Sequence, residues 1–173
     1  MSYTFENKSC LLLIDIQKAY EDVYNFDAFR NNVKKMLSEA RSQNIPIIFV
    51  FEVDNEKSKW IPFWEELQGP RKLDKGIPLN FTKPKKGETY FFKHGFDAFF
   101  QTGLHTFLQK QNIKTIHFCG LLTGSCVLNS LFTSYNHGYR NILLENCCSD
   151  KTKKRHDDTI KNYGGYLFIK QKI

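Results

Sequence analysis

Short apolar runs alternate with predicted helices along most of this chain. The apolar runs lie at 9–14, 45–53, 90–92, 115–119, 141–145 and 166–170. Helices are predicted at 27–43, where apolar residues recur at helical spacing, and at 102–111, 127–138 and 153–163. Buried strands that alternate with helices are typical of a parallel sheet covered on both faces. The pattern therefore predicts an α/β fold.

Length and composition indicate one domain. The chain has 173 residues, of which 41% are hydrophobic, so we expect 1–173 to bury a single core. No apolar run is long enough to span a bilayer, and the segment 1–6 lacks the pattern of a signal peptide. Five cysteines without framework spacing indicate reduced thiols and a cytoplasmic location.

Positive charge dominates the chain, with a formal net charge of +7. Part of it lies in two lysine-rich clusters, which are typical of solvated surface: Lys83, Lys85 and Lys86, and Lys151, Lys153, Lys154 and Arg155. No basic helix with interleaved aromatic residues is present, so neither a nucleic acid nor a membrane is expected as a partner. The charge does favour an anionic small molecule as substrate.

Cys126 is the strongest candidate for a reactive residue. It follows the apolar run 115–119 and a small polar turn at 120–125, and it precedes a predicted helix. Unpaired N–H groups and the macrodipole at a helix N-terminus stabilise a thiolate, and the same groups can hold an oxyanion. The alternative is a buried structural thiol, because cysteine often behaves as a small hydrophobe.

The other cysteines have structural interpretations. Cys10 and Cys119 lie inside apolar strand patterns and are assigned to the core. Cys147 and Cys148 follow a predicted strand and are either packing or loop residues. Neither pair has the strand–turn–helix context of Cys126.

Two further chemically useful residues lie at strand ends. Asp15 follows the first predicted strand and Lys93 follows the third, while Cys126 follows the fourth. Singly, Asp15 could be a turn or cap residue and Lys93 could be solvated. Together they favour catalysis, because ligands bind outside the carboxyl ends of strands in open α/β sheets. A carboxylate can take the thiol proton, and a lysine can hold the carboxylate in place.

Three ordered motifs resemble those of the isochorismatase-like cysteine hydrolase family. Residues 13–20, Leu-Ile-Asp-Ile-Gln-Lys-Ala-Tyr, resemble its D-x-Q-x-x-F opening. Residues 93–104 resemble its K-x-x-x-S-A-F-x-x-T-x-L stretch, although Asp97 replaces the usual Ser. Residues 120–127, Gly-Leu-Leu-Thr-Gly-Ser-Cys-Val, resemble its nucleophile turn. The likeness covers nearly the whole chain except the segment 57–89.

The resemblance implies a three-layer Rossmann-like fold with a six-stranded, mostly parallel sheet. It also implies a catalytic triad of Asp15, Lys93 and Cys126. A cis peptide is implied between Leu121 and Leu122, and the N–H groups of Leu122 and Cys126 would form the oxyanion hole.

A substrate pocket is expected beside this triad. The resemblance places Gln17 and Tyr20 near it. The segment 57–89 carries Trp60, Phe63 and four of the five prolines but no clear long element, and such loops are often functional. We therefore expect Trp60 and Phe63 to contribute to the pocket, together with a neighbouring subunit of a homo-oligomer, a dimer or tetramer.

The leading interpretation is a metal-independent amidohydrolase that cleaves a small C–N amide through a thioester on Cys126. No metal or cofactor is expected, because 51–67 contains acidic residues but no His, whereas nicotinamidases of the family place metal-binding His there. Two alternatives stay open. One is hydrolysis of an isochorismate-like vinyl ether, and the other is a non-catalytic binding or assembly protein on the same scaffold.

Overall fold

One parallel sheet forms the centre of the molecule. The computed structural model describes residues 3–54, 61–70, 72 and 74–173. Within these residues the sheet has six strands in the order β3-β2-β1-β4-β5-β6, and every neighbouring pair is parallel. The strands are β1 (Ser9–Ile14), β2 (Ile47–Glu52), β3 (Thr89–Lys93), β4 (Thr115–Leu121), β5 (Arg140–Ser149) and β6 (Ile169–Gln171). The predicted six-stranded α/β fold is confirmed.

The strand order reverses between β1 and β4, which pair in register from Ser9 with Thr115 to Ile14 with Gly120. Such a reversal opens a crevice at the carboxyl ends of the two strands, where α/β proteins bind ligands. Asp15 lies at the end of β1 and Cys126 follows β4. The topology thus brings the carboxylate and the thiol to opposite sides of this crevice.

Helices cover both faces of the sheet. They are α1 (Phe26–Ser42), α2 (Ile61–Gln68), α3 (Leu104–Lys110), α4 (Leu128–Asn136) and α5 (Lys153–Tyr163). One apolar cluster lies under α1 and includes Phe29 and Met36, while the other lies under α3, α4 and α5. Strands β1, β2 and β4 are buried on both faces, which explains their continuous apolar sequences. A helix long and apolar enough to cross a bilayer is not found in the described part of the chain.

The structure differs from the predicted elements in three places. Helix α2 lies inside the segment that was predicted to lack a long element. The sequence does not predict this helix because it buries only Ile61 and so shows no apolar periodicity. Strand β5 continues through Cys147 and Cys148 to Ser149, past a register shift between Phe118 and Gly120 on β4. The helix predicted from Val127 begins as a π-helical turn over Thr123–Val127, and α4 follows it.

Gly120 permits the close approach of β4 to β1. It has φ of +151°, and a Cβ atom there would lie 2.3 Å from the carbonyl oxygen of Ile14. A side chain would therefore separate the two strands immediately before Asp15 and the nucleophile turn. The glycine is required by packing at the switch point of the sheet.

Candidate active site

The three predicted residues meet at the carboxyl edge of the sheet. Lys93 Nζ lies 2.8 Å from Asp15 Oδ2 and 3.5 Å from Cys126 Sγ. The ammonium also donates to the carbonyl oxygen of Gly95 at 2.6 Å. Asp15 and Lys93 are at most 1% exposed, and Cys126 is 5% exposed. The structure thus brings the thiol, the carboxylate and the ammonium into one buried cluster.

A fourth residue, Glu52, completes this cluster. Its Oε2 atom lies 3.4 Å from Lys93 Nζ and 3.8 Å from Cys126 Sγ. Glu52 is the last residue of β2 and is 1% exposed. In the sequence Glu52 is one of several acidic residues in 51–67, and this context predicts no role for it in catalysis. Its place at the end of a buried strand is the signal that could have identified it, because the same signal selected Asp15.

Gln17 and Tyr20 fix the position of Glu52. The Gln17 side-chain amide donates to the Glu52 carbonyl at 2.9 Å and accepts from the Glu52 N–H at 3.0 Å. It also contacts the Asp74 carboxylate. Tyr20 donates its hydroxyl proton to Glu52 Oε2 at 2.8 Å, and burial and the Glu52 charge raise the pKa of Tyr20. Both residues predicted near the pocket therefore lie beside the cluster, where their polar groups hold Glu52.

The other two pocket predictions are not linked to the cluster by the structure. Phe63 lies on α2 with 62% of its surface exposed. Trp60 falls outside the described residues. Their contribution to a substrate pocket stays a prediction.

The turn that carries Cys126 is braced from α5 and the end of β5. Gly124 N donates to Asp150 Oδ2 at 2.8 Å, and Arg155 Nε holds the other oxygen of Asp150 at 2.8 Å. Thr123 Oγ1 lies 2.8 Å from His156 Nδ1. The peptide between Leu121 and Leu122, just before this turn, is cis, so that prediction is confirmed.

Burial and charge give Asp15 a raised pKa of about 6. Burial is the main cause, the Lys93 ammonium opposes it, and the Glu52 charge adds to it. For Lys93, burial acts downward, but the charges of Asp15, Cys126 and Glu52 outweigh it and raise its pKa. Lysine is therefore the fixed cation of the cluster, while the Asp15 carboxylate can gain or lose a proton near neutral pH.

The electrostatics of Cys126 correct one expectation. The sequence predicts that the helix N-terminus favours the thiolate of Cys126. Instead, burial and the Asp15 and Glu52 charges raise the pKa of Cys126 well above its ordinary value, although Lys93 opposes the shift. Burial and two carboxylates together outweigh one ammonium, so Cys126 rests as a thiol and must transfer its proton before it attacks.

Asp15, Glu52 and Cys126 also have a metal-ligating composition. Their ligand atoms lie within 4.8 Å of one another, and no other such group of three occurs among the residues that the structure describes. Lys93 Nζ contacts the same three side chains at 2.8, 3.4 and 3.5 Å. The ammonium thus lies where a cation would have to bind, and these residues do not fit a metal ion while Lys93 is in place.

Comparison with known proteins identifies the family of the chain. A family model described as an isochorismatase domain matches residues 9–168. The chain belongs to the isochorismatase family. As a member of that family with amidohydrolases among its relatives, the protein is a hydrolase.

Individual relatives of this isochorismatase-family hydrolase are distant. It is 26% identical over 160 residues to the uncharacterized isochorismatase family protein YddQ of Bacillus subtilis, covering 88% of this chain and 83% of YddQ. It is 25% identical over 172 residues to the ureidoacrylate amidohydrolase RutB of Agrobacterium fabrum, covering 80% and 75%. The structure of N-carbamoylsarcosine amidase from Thermoplasma acidophilum matches with a TM-score of 0.75 at 20% identity, covering 95% and 94%.

Proposed function

We propose that this isochorismatase-family hydrolase cleaves the C–N bond of a small amide through a thioester on Cys126. The observation that carries the proposal is the buried thiol of Cys126 beside Lys93 and Asp15. The pKa of Asp15, about 6, suits this carboxylate to accept and return a proton. The names of the relatives RutB and N-carbamoylsarcosine amidase support amide chemistry.

The proposed first half-reaction forms the thioester. Asp15 takes the thiol proton of Cys126, and the sulfur attacks the amide carbon. The N–H groups of Leu122 and Cys126 stabilise the oxyanion of the tetrahedral intermediate. Asp15 then gives its proton to the leaving nitrogen, the C–N bond breaks, and ammonia or an amine departs.

The second half-reaction releases the acid. Asp15, again a carboxylate, removes a proton from water, and the hydroxide attacks the thioester carbon. The C–S bond breaks, and the sulfur recovers the proton from Asp15. Lys93 stays charged throughout because its raised pKa keeps the proton on its nitrogen, so it positions Asp15 and offsets the charge that develops on sulfur.

A panel of small primary amides tests this function through ammonia release. The wild-type protein should release ammonia from at least one amide, with an initial burst of ammonia of no more than one equivalent per enzyme. Mass spectrometry should detect an acyl adduct on Cys126. Cys126→Ala should abolish both signals. Cys10→Ala is the matched control, because it removes another buried thiol outside the cluster. Ammonia release that survives in Cys126→Ala would contradict the proposal.

We further propose that the activity needs no metal. Lys93 Nζ contacts all three candidate metal ligands, so a bound cation would have to displace it. Ammonia release should therefore be unchanged after exhaustive dialysis against a chelator. Loss of turnover that zinc or iron restores would contradict this prediction.

A further inference from the structure

The turn that carries Cys126 is held by a buried side chain outside the catalytic cluster. Asp150 directly follows β5 and is 0% exposed, and its Oδ2 atom accepts from the Gly124 N–H at 2.8 Å. Its Oδ1 atom accepts from the Lys151 N–H and from Arg155 Nε, each at 2.8 Å. Both oxygens of this side chain therefore have fixed donors, and one of these donors belongs to the turn.

The position of Asp150 is itself fixed by neighbouring elements. Its carbonyl oxygen accepts from the Tyr24 N–H at 2.8 Å, which ties its backbone to the segment before α1. Arg155 lies in the first turn of α5, and its N–H donates at 3.2 Å to the Thr152 hydroxyl that caps this helix. The side chain that holds the turn is thus anchored both to the segment before α1 and to the start of α5.

Close packing at Gly124 makes its bond to Asp150 possible. A Cβ atom at Gly124 would lie 2.8 Å from Thr159 Oγ1 and 3.2 Å from Asp150 Oδ2. Thr159 lies on α5, and its hydroxyl is held by a bond of 2.9 Å to the Arg155 carbonyl oxygen. A side chain at Gly124 would therefore push the turn away from Asp150 and from α5.

The backbone of the turn links the Gly124 peptide to Cys126. The N–H groups of Ser125 and Val127, which flank Cys126, both donate to the Leu122 carbonyl oxygen, at 3.0 and 3.2 Å. Gly124 lies within the ring that these bonds close, so rotation of its peptide would change the direction of the N–H groups that follow. The bond from Gly124 to the side chain behind it therefore helps to fix the direction of the Cys126 N–H.

We propose that Asp150 is a positioning residue of the oxyanion hole, which keeps the Cys126 N–H directed at the oxygen of the tetrahedral intermediate. This inference rests on the proposed amidase function and adds a residue to its machinery. Donors of an oxyanion hole act only when they are held in place before charge develops. Loss of one donor typically costs about 10²–10³ in kcat, so a donor that is only loosened should cost less.

Asp150→Asn tests the inference through its pattern of kinetic effects. The amide keeps the shape of the side chain, but its NH2 group must face either Gly124 or Arg155, where it cannot accept a hydrogen bond. We expect kcat for ammonia release to fall about 10–10²-fold while KM changes less than about threefold, because the interaction acts in the transition state. Alkylation of Cys126 by iodoacetamide should stay within about twofold of the wild-type rate, since this displacement forms no oxyanion.

Asp157→Asn is the matched control, because Asp157 is an exposed acidic residue on the same helix as Arg155. It should change neither the turnover nor the alkylation rate, and thermal unfolding verifies that both variants fold. A wild-type kcat in Asp150→Asn would overturn the inference. Equal losses in kcat and in alkylation would also overturn it, since they would mean that Asp150 serves only the fold.

Arg155→Met provides a second variant that should fold, because the Arg155 side chain is 56% exposed. It removes one donor to Asp150 Oδ1, so kcat should fall about threefold with unchanged alkylation, and this result decides the question if Asp150→Asn does not fold. In the double variant the loss should be no larger than in Asp150→Asn alone, because Arg155 acts through Asp150. Fully additive losses would contradict this order of contacts.

An aldehyde separates this inference from the proposed function. When propionaldehyde adds to Cys126, the sulfur bonds to the carbonyl carbon, the C=O bond becomes single, and the thiol proton passes through Asp15 to the oxygen. The adduct is measured as protection of Cys126 from iodoacetamide. Asp150→Asn should weaken the aldehyde affinity about tenfold, and Asp157→Asn should not change it. Equal affinity in Asp150→Asn and wild type, or no protection in the wild type, would overturn the inference. If no amide is cleaved, the amidase proposal fails, and the aldehyde still tests the role of Asp150.

Discussion

At the scale of single residues, Asp15 connects charge to reactivity. Its pKa of about 6 is set by burial, by the opposing ammonium of Lys93 and by the charge of Glu52. The group must be ionised to accept the thiol proton, so activity is lost as the pH falls through that value. A thiol whose pKa is raised depends on this proton transfer more than an ionised one would.

The acidic limb of the pH profile follows from this assignment. We expect kcat/KM to fall below a pH of about 6, since this ratio reports groups of the free enzyme. Glu52→Gln removes a charge that raises the Asp15 pKa, so the limb should move to lower pH. Glu6→Gln should leave it in place. A limb that stays fixed or moves to higher pH in Glu52→Gln would contradict the role of Asp15.

Replacing the proton acceptor tests the same residue directly. Asp15→Asn should reduce kcat by a factor on the order of 10²–10⁴, because the amide cannot accept a proton. Asp27→Asn is a suitable control, since Asp27 is an exposed carboxylate paired with Arg30. Both are measured by ammonia release alongside thermal unfolding. Normal turnover in Asp15→Asn would remove this carboxylate from the mechanism.

At the scale of elements, strand ends were readily predicted and their electrostatics were not. Continuous apolar sequence located β1, β2 and β4 because they are buried on both faces. Asp15 follows β1, Lys93 ends the edge strand β3, and Cys126 follows β4, so the order of the strands predicted their meeting. The raised pKa of Cys126 depends on burial and on a second carboxylate, and neither is visible in a linear pattern. Helix α2 was not predicted because it buries one residue and has no periodic apolar face.

The packing of β4 against β1 provides an element-scale prediction. Gly120→Ala should reduce the free energy of unfolding by about 2–4 kcal/mol, because its Cβ would lie 2.3 Å from the Ile14 carbonyl oxygen. Gly138 also has a positive φ, but a Cβ atom added there would have no atom within 4 Å. Gly138→Ala should therefore reduce the free energy of unfolding by only about 1 kcal/mol. Urea unfolding measures both variants. Equal losses would show that the close approach of the strands is not limiting.

At the scale of the whole molecule, a buried histidine ties the amino-terminal segment to the sheet. Tyr3 Oη lies 2.8 Å from His117 Nδ1, and Phe5 packs edge-on against the imidazole. His117 is 1% exposed, and its Nε2 has no hydrogen-bond partner among the described residues. Burial lowers the pKa of His117 from 6.5 to about 4. Protonation would leave an unpaired charge in the core.

This shift makes global stability depend on pH. Between about 6.5 and 4 the unfolded chain binds a proton that folded His117 does not, so stability falls as the pH is lowered. The loss should be on the order of 3 kcal/mol. Asp15 acts with opposite sign in part of this range, because its folded pKa is raised. Urea unfolding of wild type and His117→Gln at several pH values isolates the histidine, and parallel pH dependences would refute its contribution.

The ammonium of Lys93 has a consequence for how this sequence can diverge. It has three hydrogens, and its neighbours are Asp15, Gly95 O, Glu52 and the Cys126 sulfur. A mutation to a neutral residue removes the ammonium that contacts both buried carboxylates, at a cost to folding as well as to activity. A lineage that loses the lysine should therefore soon lose Asp15 or Glu52. Loss of the catalytic site therefore requires coupled substitutions of the lysine and a carboxylate. A descendant sequence that has lost only one of these residues is expected to be a transitional one.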